Sequence, residues 1–252
     1  MLPAPVGFQC PEEVADARRA APRTRATLGG TVGRGITDQG RVTQLIIALC
    51  IGAYVLQGLP GLSLSSRQFN EFTVDYGLLG VGLALGEYYR LLTPAFLHAG
   101  LLHLFLNMYA LYLIGSGLER VLGLWRYVAL FVTSAVGGNT LVYLVDGLSA
   151  SAVGASTAVF GFLSAAYLVA RRLGFDTRQL AALIGLNLLI SFLPGISLLG
   201  HLGGLATGAV LGAVFTLVPA RRELLQAGLV ALVLGGLVAA AVYRTETLAG
   251  PF

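Results

Sequence analysis

The chain has 252 residues, of which 56% are hydrophobic and only 11% charged, where an ordinary soluble domain carries about 25% charge. Mean hydropathy is +0.80, which excludes intrinsic disorder, fibres and disulfide scaffolds. The formal charge of +4 comes from arginine alone, since lysine is absent, and its scatter through an apolar chain is a poor match to nucleic acid as a partner.

Residues 1–41 are polar and arginine-rich, with no apolar core and small-residue cleavage site, so they read as a cytoplasmic tail rather than a secretory signal. Apolar runs follow at about 43–59, 98–118, 125–145, 154–170, 179–193, 199–218 and 224–243. Each approaches the roughly 20 residues that a bilayer core demands, the fifth being short and bounded by Pro194. The reading is an all-α polytopic membrane protein with seven transmembrane helices. The abundance of glycine, 34 residues, suits close helix contact in the bilayer. With the tail inside, 13 arginines fall on the cytoplasmic side and 3 outside, which puts the amino terminus in the cytoplasm and the carboxyl terminus outside. Helices two, four and six then descend from the outer face. Residues 42–219 form a six-helix core, and 220–252 a seventh helix with a short external tail.

The connection 60–97 is long and partly apolar, including Tyr76 to Leu85, and reads as an external structure packed against the bundle rather than a solvated linker. Cys10 in the tail and Cys50 in the first apolar run are poorly placed to pair.

Polar side chains within spans need a reason. His98 and His103 open the second span, with Asn107 four residues after His103 on the same helix face and roughly 14 Å along the helix from His98. Ser156 opens the fourth span and His201 the sixth. By the inferred topology all lie at shallow depth under the outer surface, where they can share a wet pocket. A serine hydrolase needs a base for the hydroxyl proton, a role open to His98, His103 or His201, and donors for an oxyanion. The first turn of the fourth helix supplies free N–H groups at Ser156, and His103 and Asn107 add side-chain donors. Singly, each residue has a plainer role: Ser156 bonding its own preceding turn, Asn107 or His103 joining helices, His98 or His201 sitting at the interface. The coincidence at one depth favours catalysis. Three histidines without acids or thiols make a poor metal site, so no metal and no cofactor is expected.

Three motifs carry a resemblance. RLLTPAFLHAGLLHLFLNM, GASTAVFG and GHLGGLATG together resemble the signatures of the rhomboid family of intramembrane serine proteases, over about Tyr88 to Val210. The resemblance implies a dyad of Ser156 as nucleophile and His201 as base, with oxyanion contacts from His103, Asn107 and the Ser156 backbone. It implies supporting roles for His98, for Gly154 at the leading glycine of the nucleophile motif, and for Phe160 packed on the histidine ring. Gly204, with Gly200 and Gly208, would bring the sixth helix close to the fourth. Tyr89, Arg90, Glu119 and Gly123 take positions read as structural. The family's usual glycine after the serine is Thr157 here, which adds bulk beside the nucleophile. The seventh helix follows the pattern of members with one helix appended to a core of six.

The implied partners are the lipid bilayer and transmembrane protein substrates, cut near the external face of a bacterial cell membrane. The tail segment VGFQCPEEV resembles the end of a zinc-binding module that precedes some actinobacterial members, but Cys10 alone cannot close a zinc site, and no zinc is expected. The competing reading is an inactive rhomboid-like protein that binds transmembrane clients. A small-molecule transporter fits less well, because no acidic side chain lies within the proposed spans to couple ions.

Overall fold

The computed structural model describes residues 2–3, 8–9, 28–29, 40–59, 61 and 70–249. A two-residue pair, β1 (Leu2–Pro3) with β2 (Phe8–Gln9), is the described structure nearest the amino terminus. The first long helix among the described residues is α1, Arg41–Leu56. Two short helices follow, α2 (Glu71–Tyr76) and α3 (Gly80–Ala84), joined by β3 (Leu78–Leu79). Next come α4 (Leu101–Leu122), widened by one π turn over Leu111–Gly115, and α5 (Leu124–Asp146). After β4 (Ser151–Ala152), which pairs antiparallel with β3, come α6 (Ser156–Arg172) and α7 (Arg178–Ile190). The last two are α8 (Leu198–Leu217) and α9 (Glu223–Ala249).

All seven apolar runs are therefore helical, with ends a few residues from those read off the sequence. Four of these helices, α4, α5, α8 and α9, are long and apolar enough to cross a membrane, while α1 and α7 are shorter apolar helices. The chain is a multi-pass integral membrane protein. One boundary moves with consequence. The second span begins at Leu101, so His98 precedes the helix and the distance reckoned along it from His98 to Asn107 does not apply.

Helices α5, α6 and α8 form the centre, and glycine is what lets them approach. A Cβ at Gly204 of α8 would run into the Thr157 carbonyl oxygen of α6, and one at Gly208 into the Gly161 carbonyl. On α5, a Cβ at Gly137 would strike Thr207 of α8, and one at Gly138 would come 2.6 Å from Thr157 Cβ. Backbones in such contact gain dispersion along their whole length, the main source of helix association where lipid removes the hydrophobic drive.

The ends of the bundle are tied by polar groups. Glu119 on α4 accepts from the first backbone N–H groups of α1, those of Val42 (3.1 Å) and Thr43 (2.8 Å), which places a carboxylate on the positive end of that helix. The Thr43 hydroxyl also donates to Glu119 and lies 2.7 Å from the Tyr127 hydroxyl of α5. Arg126 of α5, 1% exposed, donates to Gln226 of α9 (2.6 Å) and to the Ala220 carbonyl (3.0 Å). At the opposite end of α5, the Tyr143 and Thr245 hydroxyls are 2.9 Å apart, so α9 is fastened to α5 at both ends.

The described part of the long connection is folded. Arg90, buried, donates to the carbonyls of Val74 (2.6 Å) and Gly77 (2.9 Å) and pairs with Glu87, while the Tyr89 hydroxyl donates to the Asp75 carbonyl at 3.2 Å. These bonds satisfy backbone groups that no regular ladder reaches, which is what a non-helical segment beside a bilayer requires.

Candidate active site

Ser156 is the first residue of α6, and its backbone N–H has no partner among the described residues. That follows from position, since the opening N–H groups of a helix have no acceptor one turn back. The chain reaches it through Gly154, whose φ of 136° suits glycine and whose N–H donates to the Pro94 carbonyl at 2.9 Å. A Cβ at Gly154 would lie 2.7 Å from His103 Cε1 and 3.5 Å from Ser156 Oγ. The bare backbone there is thus the floor between the His103 ring and the Ser156 hydroxyl.

His103 and Asn107 stand one turn apart on α4. The Ala99 N–H donates to His103 Nδ1 at 3.4 Å, so the ring carries its proton on Nε2, the nitrogen nearer Gly154 and free to donate. One Asn107 amide hydrogen goes to the His103 carbonyl at 2.9 Å, which fixes the amide and leaves its second hydrogen available. His98 is fully enclosed. Its N–H donates to Gln57 at the end of α1 (2.9 Å), its ring meets that of His103 edge-on at 5.2 Å, and neither ring nitrogen has a partner among the described residues. Gln57 in turn donates to Thr73 at 2.9 Å, so His98 joins α1, α2 and the start of α4.

His201 lies in the first turn of α8, whose N-cap Ser197 accepts from the Gly200 N–H at 3.1 Å. The imidazole is stacked on Phe160 of α6, with ring centres 4.2 Å apart and planes 17° from parallel. Phe160 is four residues after Ser156 on the same helix face, so this stack ties the imidazole to the helix that begins at Ser156. His201 Nδ1 is 2.6 Å from the Ser191 hydroxyl at the end of α7. Among the described residues no hydrogen bond joins Ser156 Oγ to His201, a bond that substrate-free sites often leave long.

Gly204 is one turn below His201 on α8, in contact with the Thr157 carbonyl. Thr157 is 4% exposed, with its Cβ against Gly138 and its Cγ2 facing Gly138 and Gly200. The bulk expected beside Ser156 is therefore taken up between α5 and α8. Of the eight predicted site residues, Gly154 adjoins both His103 and Ser156, Asn107 bonds His103, His201 stacks on Phe160, and Gly204 contacts α6 one turn along from His201. The His98 ring meets that of His103. Ser191 and Gly138 escaped the sequence reading: a serine ahead of Pro194 has the look of an ordinary helix end, and one glycine among 34 has no distinguishing mark.

Chemically, the arrangement offers an alcohol at a helix N-terminus, an imidazole on a contacting helix, and N–H groups of Ser156, His103 and Asn107 that have no acceptor among the described residues. Among the described residues no group of three histidine, cysteine or acidic side chains gathers as metal ligands. Cys10 and most of the tail lie outside the described residues.

Comparison with known proteins gives one family. The family profile described as the rhomboid domain matches residues 85–218, a little over half of the chain. YdcA of Bacillus subtilis (strain 168) is 32% identical over 176 residues, 68% of this chain and 86% of the relative. Rhomboid protease GluP of the same organism is 32% identical over 203 residues, 77% of this chain, and RHOMBOID-like protein 5 of Arabidopsis thaliana is 38% identical over 142 residues, 53% of this chain. The chain spans 39% of the length of GluP and 46% of that of the plant protein. With the profile covering the segment that holds every site residue, and a bacterial relative matched along most of its length, the chain belongs to the rhomboid family.

Proposed function

We propose that the chain is an intramembrane serine endopeptidase that cleaves transmembrane segments of other membrane proteins near the external face. In this reading Ser156 Oγ attacks the scissile carbonyl while its proton passes to His201 Nε2. The oxyanion accepts from the Ser156 N–H, His103 Nε2–H and the second Asn107 amide hydrogen. The imidazolium then protonates the leaving amine, and water repeats the sequence on the acyl-enzyme with the same base. A helical peptide bond has its carbonyl occupied and shielded, so the substrate unwinds locally before attack.

The observation that supports this reading is the Phe160–His201 stack across the α6–α8 contact, since Phe160 follows Ser156 by one turn of α6. The protease names borne by relatives such as GluP support it. The topology belongs to the same proposal: seven spans, the amino terminus in the cytoplasm and the carboxyl terminus outside. Arginines 41, 120, 126, 221 and 222 flank the ends of helices that lie away from Ser156, as positive-inside orientation asks.

The test is cleavage of a single-pass substrate in proteoliposomes, with fluorophosphonate labelling alongside. Wild type is expected to cleave and to label at Ser156, and Ser156→Ala to do neither. Equal product from both proteins removes the protease reading. No product and no label from wild type leaves a protein that binds transmembrane clients without cutting them.

A further inference from the structure

The Ser191 hydroxyl has two close partners and one hydrogen. It is 2.7 Å from the Asn187 carbonyl, one turn back on α7, and 2.6 Å from His201 Nδ1. A carbonyl oxygen only accepts, so the Ser191 hydrogen belongs to that bond. The Ser191 oxygen is left as an acceptor toward His201, and the bond at 2.6 Å then requires a hydrogen on Nδ1. Neutral imidazole carries one N–H, so with the hydrogen on Nδ1 the Nε2 atom holds a lone pair. Ser191 is 2% exposed, so solvent does not compete for its oxygen.

From this we infer that Ser191 is a positioning residue for the proposed reaction: it selects the His201 tautomer that can act as a base and fixes the rotation of the ring. It rests on the Ser156–His201 reading. Ser191 takes the place that a carboxylate fills in a three-membered catalytic set, but as a neutral acceptor inside an apolar bundle, where a buried charge is costly. When His201 takes the Ser156 proton on Nε2, the Nδ1–H bond to Ser191 persists and stabilises the imidazolium. The proton on Nε2 leaves with the amine, and the original tautomer returns. Phe160 restrains tilt of the ring and Ser191 its spin, so together they define one orientation.

The experiment pairs Ser191→Thr with Ser191→Val. Both add the same bulk, and only threonine keeps the hydroxyl and its bond to the carbonyl one turn back. Kinetics in proteoliposomes are expected to show a kcat about tenfold lower for valine with KM little changed, and threonine within about threefold of wild type, as loss of one hydrogen bond to the base implies. Histidine-selective nitrogen NMR of wild type is expected to show His201 protonated at Nδ1, and the valine variant to show a tautomer mixture. A valine variant within threefold of wild type in kcat, or a wild-type ring protonated at Nε2, overturns the assignment. A threonine variant that falls as far as valine also overturns it, because bulk alone then explains the loss. Ser156→Ala is run beside them: if it cleaves like wild type the protease reading fails, while the tautomer spectrum still decides the Ser191 contact.

Discussion

Gly204→Ala adds one methyl group at the tightest point of the α6–α8 contact. Its Cβ would overlap the Thr157 carbonyl oxygen, and the obstacle is backbone, so no rotamer change relieves it. Restoring ordinary contact, about 3.5 Å between heavy atoms, requires the two helices to part by at least about an ångström. Overpacking of this kind costs about 1–3 kcal/mol, which a folded domain usually survives. The larger effect is on geometry. His201 lies one turn from Gly204 on α8, and Ser156 precedes Thr157 on α6, so parting the helices there separates the proposed nucleophile from its proposed base. A 1 Å misplacement costs about 100-fold in rate. Cleavage of a transmembrane substrate is therefore expected to fall about 100-fold, while thermal unfolding drops only modestly. Gly228→Ala on α9, where nothing lies within 4 Å, serves as the control and is expected to match wild type. If Gly204→Ala cleaves within threefold of wild type, the claim that this contact sets the distance of the dyad is wrong.

Other substitutions test the remaining parts. Asn107→Ala removes a proposed oxyanion donor, and kcat is expected to fall about 100-fold with KM nearly unchanged; a matching rise in KM instead would assign Asn107 to substrate binding. Thr157→Val replaces a buried Oγ1 that has no partner among the described residues with a methyl of the same shape, so stability is expected to hold or rise by up to about 1 kcal/mol, read by denaturant or thermal unfolding. A clear loss of stability there would show that the hydroxyl is bonded in the membrane-embedded protein.

The helix pattern was legible because it depends on local quantities: a run of apolar residues near the length of a bilayer core announces a helix wherever it packs. The candidate chemistry was legible for a related reason. A serine, an asparagine and three histidines at the ends of such runs stand out against their surroundings, and the rhomboid resemblance named the pair among them. What sequence spacing could not separate was the three imidazoles, equal as bases on composition alone. The fold distinguishes them by neighbours: His98 is sealed against Gln57 and His103, His103 accepts at Nδ1, and His201 stacks on Phe160 with Ser191 at its Nδ1.

Thr157 makes the same point in packing. By itself its substitution for glycine suggests a crowded pocket, and only the positions of Gly138 and Gly200 on two other helices reveal where its methyl goes. Apolarity, helical period and the candidate reactive groups are thus written along the chain, because each is a property of consecutive residues. Ring rotation, tautomer and the separation of α6 from α8 are decided by contacts between residues far apart in sequence, where the backbones meet and a single methyl group changes the distance.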